Sequence, residues 1–541
     1  MYPSKFHPVI HFILRLFRST IDLFASWIFS FFYESQSKLP PIPENDYEIL
    51  TLPVVDLASK IQNGYLTSRI VVQAYVNRAI AVQPYINAFV NTRFEDALKE
   101  ADDVDRLIQN TAFNEKSQLF DRKPFLGIPF TTKDALAVKG LKQTIGLISR
   151  RDHVSTEDST AVANLKAAGG IILGVTNVPE LCMWMETYNK LYGRTNNPYH
   201  LGRIPGGSSG GEAAAISSAS SPFGIGSDIG GSIRMPSFFC GIYGHKCSTG
   251  EPVSNSGQIP VAVGIKNTFL STGPMTRYAK DLLPAFKALI SNEEICVNRL
   301  RLSDPVNVKD LKIYYIENDS DSCPLISRVH KDLQKCQEQL LKNLETKLKL
   351  TVERICIEEF YWSFNIWSQK MNSESKSPSF ALEMNNLRDP PVNPFNEIFK
   401  WFLNSSNHTL PSIGLAFMEN HIGPHNTHHR DFLDMCESLR HKLGDILRDD
   451  GVLIFPSHPV PAPYHGEALL KSFNFAYTAI FNVLGNPVTQ IPLGISPETK
   501  TPVGVQLVGG LNQDRLTIAL AVEIERMNGV SCSGGGWRTV F

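Results

Sequence analysis

The strongest pattern along the chain is an apolar run over residues 9–33 whose polar positions fall in register. His11, Arg15, Arg18, Asp22, Ser26 and Ser30 recur at steps of three or four. On a helix they share one stripe, while Phe, Ile, Leu and Trp cover the rest. The run is long enough to cross a bilayer, but Arg15, Arg18 and Asp22 are costly in hydrocarbon unless paired. Two membrane readings therefore stand beside that of an ordinary core helix. In one the helix spans, with Arg18 and Asp22 partly neutralising each other at i, i+4. In the other it lies in the interface with its polar stripe toward water. Charge within the run and the lack of a small-residue cleavage site argue against a removed signal peptide. Residues 1–36 thus form a membrane-associating segment. The prolines of Lys38-Leu-Pro-Pro-Ile-Pro43 make 37–47 a stiff spacer, and 48–541 the globular body.

Downstream the period changes repeatedly. Residues 66–82 predict an amphipathic helix opened by Thr67 or Ser68 and stopped before Pro84, and 94–109 predict another. Ser159 to Gly169 has a hydroxyl start and a glycine stop, and runs straight into the apolar 170–175, suited to a buried strand. Val452-Leu-Ile-Phe455 before Pro456 predicts a second such strand. Residues 341–358 predict a helix, and the polar, serine-rich 366–380 a surface loop. No internal repeat is present. Helices alternating with buried strands imply an α/β layered fold.

With 541 residues and 43% hydrophobic side chains, the chain can bury a large core in one unit or two. The 52 Lys and Arg nearly cancel the 53 Asp and Glu, and no basic run alternates with aromatics, which excludes nucleic-acid binding. Nine cysteines without CxxC spacing read as reduced, buried thiols. Asn318, Asn404 and Asn407 lie in N-x-S/T triplets, which matter only in a secretory lumen.

The chemistry concentrates mid-chain. Pro205-Gly-Gly-Ser-Ser-Gly-Gly-Glu212 and Gly226-Ser-Asp-Ile-Gly-Gly-Ser-Ile-Arg-Met-Pro236 each set serines between glycine pairs. Glycine serves where backbone takes positive φ or approaches a ligand closely. Both runs are short and sit in Ala- and Ile-rich sequence, unlike a flexible linker. No GxxxxGK[ST] is present, and Gly230-Gly-Ser-Ile-Arg234 lacks the second glycine of a G-x-S-x-G elbow. A nucleophilic serine needs a base. No histidine stands in a telling context, but a lysine serves where burial holds it neutral. Lys133 ends the apolar Pro124-Phe-Leu-Gly-Ile-Pro-Phe-Thr-Thr-Lys133. The segment alone leaves open whether this lysine is buried or merely exposed beside Asp134.

Together these three segments resemble the amidase-signature family, over roughly residues 48–250 and 450–530. The lysine motif is Gly127-Ile-Pro-Phe-Thr-Thr-Lys133-Asp134, the first serine motif Gly206-Gly-Ser208-Ser209-Gly-Gly211, and the nucleophile motif Asp228-Ile-Gly-Gly-Ser232-Ile-Arg234. The spacings fit too: 75 positions from Lys133 to Ser208 and 24 on to Ser232. The resemblance implies one large α/β domain with a central mixed, twisted β-sheet covered by helices on both faces. It implies Ser232 as nucleophile, Lys133 as distal base, and Ser208, on a cis peptide after Gly207, as proton relay. Backbone amides of Ile229, Gly230, Gly231 and Ser232 are the expected oxyanion hole. Arg234 and Ser209 are expected to support the loop.

The family needs no metal or cofactor, and His425, His428 and His429 show no zinc-like spacing. An apolar helix ahead of the core resembles the fatty-acid amide hydrolases, most of all their type-2 branch. This implies long-chain amide substrates drawn from a membrane. Met183 and Met185, flanking Trp184, then line an acyl pocket or simply pack the core. The expected partners are a lipid-like amide and a membrane surface or bilayer, with a homodimer as a further option. A glutamine amidotransferase A-type subunit and an inactive binding protein on the same fold are the alternatives.

Overall fold

A computed structural model of the chain describes residues 8–35, 37–316, 323–373, 376–419 and 428–528. Among them, thirteen strands run in chain order: β1 Phe89–Thr92, β2 Pro129–Lys133, β3 Ile171–Thr176, β4 Tyr188–Asn189, β5 Gly193–Arg194, β6 Phe223–Asp228, β7 Tyr243–Lys246, β8 Ser271–Thr276, β9 Lys312–Tyr315, β10 Thr351–Arg354, β11 Gly451–Pro456, β12 Val488–Ile495 and β13 Pro502–Gly509. Eleven form one sheet, ordered β1-β3-β2-β6-β8-β7-β12-β13-β11-β9-β10, and β4 pairs with β5 apart from it. The sheet is mixed: β3-β2-β6 and β11-β9-β10 are parallel, and the remaining pairs are antiparallel.

β2, β3, β6 and β8 are buried at every residue, as strands covered by helices on both faces must be. β2 and β6 are parallel neighbours, with Thr131 opposite Gly224 and Thr132 opposite Ile225. Their carboxyl ends, Lys133 and Asp228, therefore emerge side by side, at the edge where open α/β sheets bind ligands.

Three local expectations change. The helix opened by Thr67, whose hydroxyl accepts from Ile70 N at 3.2 Å, runs to Ile86 and takes Pro84 into its last turn. Asn87, in the left-handed region, then ends the helix. The helix expected over 341–358 is Lys331–Asn343, with a wider turn to Leu348. Lys349, at φ 59°, stops it, and residues 351–354 pair with β9 instead. The first half of the surface loop expected over 366–380 is instead part of a packed helix, Ser363–Asn372, in which Ile366, Ser368, Gln369 and Met371 are buried. Ser368 satisfies its hydroxyl within the helix, on the Asn365 carbonyl at 3.2 Å.

The N-terminal run is a helix, Pro8–Tyr33, but its polar stripe faces the protein. Arg18 pairs with Asp22 at 2.6 Å and donates to Ser327 Oγ at 3.2 Å. Ser26 meets the buried Glu467–Lys471 pair. Just beyond the helix, Glu34 accepts from Tyr464 Oη at 2.5 Å and pairs with His200 at 3.1 Å. Outward stand Phe12, Phe17, Leu23, Phe24, Trp27, Phe31 and Phe32, all exposed. Both membrane geometries drawn from the sequence need correction. Among the described residues no helix is long and apolar enough to cross a membrane, because charge interrupts the run. The stripe does not face water either, because Glu467 and Lys471 on the body bind it. Residues 37–43 are a strap rather than a free spacer: Leu39 and Ile42 are buried, and Arg78 donates to the Pro40 carbonyl at 2.6 Å. Eight cysteines are unpaired; the ninth, Cys532, and Asn318 lie outside the described residues.

Candidate active site

Lys133 closes β2 and is 1% exposed. Its Nζ stands 2.8 Å from Ser208 Oγ and 3.1 Å from Ser227 Oγ. Burial lowers its pKa, against the opposing pull of Cys182, Asp228 and Glu212. Glu212 resists little. Burial pushes its own pKa up to about 8 despite bonds from Thr131 and Thr176, so near neutrality it is largely uncharged. The alternative of an exposed lysine is thus excluded.

Ser208 is buried and follows Gly207 through a cis peptide. A Cβ at Gly207 would come within 2.3 Å of the Trp184 carbonyl, so only glycine fits there. Ser209 N donates to the Ser232 carbonyl at 3.2 Å, tying the two serine segments together.

The Ser232 loop is built around Asp228, which is 0% exposed. Its carboxylate accepts from Gly231 N at 2.7 Å, Ile233 N at 3.0 Å, Asn482 Nδ2 at 3.0 Å, and Arg234 Nε at 3.1 Å and Nη2 at 2.9 Å. Burial alone would raise the Asp228 pKa, but the Arg234 charge and these donors hold it well below the usual carboxylate range. Arg234 spends its other N–H groups on the Thr478 carbonyl, Gln506 and Asn482. Its place is therefore in the support of the loop. Gly231 sits at φ 126°, where a Cβ would meet Thr478 Oγ1 at 2.1 Å.

These bonds revise the expected oxyanion hole. The Gly231 amide is committed to Asp228, because the loop needs that bond to turn. The amides of Ile229, Gly230 and Ser232 donate to no protein acceptor among the described residues. They remain open to a ligand.

Ser208, Ser227, Ile229, Gly230, Ser232 and Gln258 line one end of a cavity of about 550 Å³. Met183, Trp184 and Met185 line it too. Most of the apolar wall was missed by sequence reasoning: Phe364, Trp367 and Met371 from the Ser363–Asn372 helix, Leu415 and Met418 from Leu410–Glu419, and Phe473 and Phe475. Phe364, Trp367 and Met371 follow i, i+3, i+7 spacing, a helical signal hidden among serines and asparagines. His428 pairs with Asp431 at 3.0 Å and His429 with Gln369 at 2.7 Å, while His425 lies outside the described residues.

The family model described as Amidase matches residues 70–518. Fatty-acid amide hydrolase 2 of Homo sapiens is 44% identical over 505 residues, covering 93% of this chain and 92% of that protein. Fatty-acid amide hydrolase 2-A of Danio rerio is 45% identical over 535 residues, covering 97% of each. A solved structure titled fatty acid amide hydrolase superposes with a TM-score of 0.69 at 21% identity, over 90% of this chain and 86% of that one, and supports the fold alone. With the family model spanning most of its length and relatives of this similarity, the chain belongs to the amidase-signature family and is an amidase closely related to fatty-acid amide hydrolase 2.

Proposed function

We propose that this enzyme hydrolyses fatty-acid amides through an acyl-enzyme on Ser232, with Ser208 and Lys133 moving the proton. The observation that carries this reading is the buried Lys133 amine, 2.8 Å from Ser208 Oγ, behind a cavity that Ser208 and Ser232 line and whose walls are mostly apolar. Neutral Lys133 takes the Ser208 proton as Ser208 takes that of Ser232. Ser232 Oγ bonds to the amide carbon, and the carbonyl oxygen gathers charge among the amides of Ile229, Gly230 and Ser232. Each such donor is worth roughly 3–4 kcal/mol in the transition state. The proton returns through Ser208 to the nitrogen, because an amine anion leaves poorly. The C–N bond breaks, amine departs, and water attacks the ester by the same route in reverse, releasing the acid.

The names of the 44–45% identical relatives support the acyl specificity, as does the wall of Met and aromatic side chains. A membrane surface fits the same reading. Met418 and Leu469 line the cavity yet reach the surface. Leu469 belongs to the 467–471 turn, which carries the N-terminal helix. Met418 belongs to the helix paired with Pro394–Phe402, where Phe395, Phe399 and Phe402 are exposed. The cavity thus opens between two apolar faces, which suits a substrate dissolved in lipid and an enzyme lying on its surface.

The test is turnover of acetamide, butyramide, oleamide and N-oleoylethanolamine by wild type and Ser232→Ala. Oleoyl amides should be cleaved, Ser232→Ala should be silent, and a fluorophosphonate probe should label only the wild type. An enzyme that cleaved acetamide readily but left both oleoyl amides intact would defeat the acyl assignment.

A further inference from the structure

The Ser363–Asn372 helix carries one polar contact to the oxyanion loop. Trp367 Nε1 donates to the Ile229 carbonyl at 3.1 Å. That carbonyl and the Gly230 N–H are the two ends of one planar peptide unit, so holding the oxygen aims the N–H the opposite way. The Gly230 amide is one of those open to a ligand. The next peptide is held at both ends, the Gly230 carbonyl by Thr478 Oγ1 at 2.8 Å and the Gly231 N–H by Asp228 at 2.7 Å. The Ile229–Gly230 unit has the Trp367 indole instead.

The same indole is wall. It meets the Phe475 ring edge-on, with centroids 4.9 Å apart, and lines the cavity. A Cβ at Gly230 would lie only 3.6 Å from Trp367 Cζ2. One side chain therefore touches both the space for the acyl chain and the peptide that points at the reacting oxygen.

We infer that Trp367 is a positioning residue that couples acyl-chain occupancy to the oxyanion hole, so that the enzyme expresses chain length in kcat. This rests on the reading that the cavity holds the acyl chain. A long chain seats the indole and fixes the Gly230 amide; a short one leaves the indole its freedom. Binding energy from the remote chain is thereby realised in the transition state, whereas a plain apolar wall would express it in KM.

Trp367→Phe keeps a ring and removes the donor. Steady-state kinetics on oleamide and butyramide, with thermal melting as the folding control, provide the test. On oleamide kcat should fall about tenfold, the size of one lost hydrogen bond, with KM within about twofold. The kcat advantage of oleamide over butyramide should shrink. An oleoyl trifluoromethyl ketone, which forms an oxyanion with Ser232, should bind about tenfold more weakly to the variant, while oleyl alcohol should bind both proteins alike. Trp367→Leu, which loses ring and donor, should add a rise in KM. Unchanged kcat in Trp367→Phe, an equal loss on both substrates, or a rise in KM alone would overturn the inference while wild-type turnover of oleamide left the proposed activity standing. A wild type inert toward oleamide would remove the activity itself.

Discussion

The two ends of the cavity are built from different interactions. At the serine end, loops leave the sheet edge and are held by hydrogen bonds that leave the Ile229, Gly230 and Ser232 amides open. Asp228 and Arg234 are both 0% exposed and share donors and acceptors with Gly231, Ile233, Thr478, Asn482 and Gln506. At the other end, side chains meet mostly ring to ring, such as Phe364 with Phe473 at 4.8 Å, and Trp367 joins the two ends, meeting Phe475 at 4.9 Å and the Ile229 carbonyl at 3.1 Å. Hydrogen bonds fix direction, whereas aromatic edges mainly fill volume and allow repacking. On the proposed function, chemistry resides where geometry is over-determined, and substrate choice where it is adjustable.

The largest effect should come from removing the base. On the proposed mechanism, Lys133→Ala is expected to lower kcat at least a thousandfold on long and short amides alike, since members of one relay fail together. In the wild type, burial has already lowered the amine's pKa, and the proposed mechanism uses its neutral form. Activity should therefore rise with pH as Lys133 sheds its proton, then level off. Stability should follow the same direction. Between the lowered folded value and the ordinary lysine value the unfolded chain binds the extra proton, so raising pH favours the folded state across that window. Lys133→Ala should flatten this slope in denaturant titrations. Substantial turnover by the variant would show that the serine end works without its base.

A smaller effect should come from the other end. Phe473→Ala removes a ring from the wall without touching a serine. Burying such a side chain is worth about 1.5–3 kcal/mol, so kcat/KM on oleamide should fall roughly 10- to 100-fold. Butyramide should be cleaved within about twofold of the wild-type rate. Equal losses on both substrates would mean the two ends are not separable.

The same contrast explains what the sequence made legible. Backbone geometry at the serine end demands particular residues. Gly207 has the Trp184 carbonyl 2.3 Å from any Cβ, and Gly231 has Thr478 Oγ1 at 2.1 Å, so the motifs mark themselves. Short apolar runs also foretold β3 and β11. Nothing comparable marks the apolar wall. Ser363–Asn372 contains two serines and two asparagines, and its loop-like composition hid the stripe of Phe364, Trp367 and Met371. β10 was hidden differently: its pairing with β9, a partner 39 residues earlier in the chain, overrides the local helical pattern. The commitment of the Gly231 amide to Asp228 is tertiary, and no motif announces it.

The N-terminal helix tests the contrast most finely, because its periodicity was plain while its orientation was not. A polar stripe can face water or a polar seam, and periodicity is the same for both. Ser26 touching Glu467 and Lys471 settles the inward side as the polar one, leaving Trp27 at 69% and Phe31 at 86% exposed. Side chains so exposed contribute little to folding. Trp27→Ser with Phe31→Ser should therefore change unfolding free energy by no more than about 0.5 kcal/mol per site. Butyramide turnover in detergent-free buffer should stay at the wild-type level, since neither residue reaches the cavity. Co-sedimentation with phosphatidylcholine vesicles should fall, because each ring removed takes away apolar area that a lipid surface would cover. If vesicle binding held while melting dropped by several degrees, the outward face would be packing against protein, and the polar side of the helix would not be its only attachment.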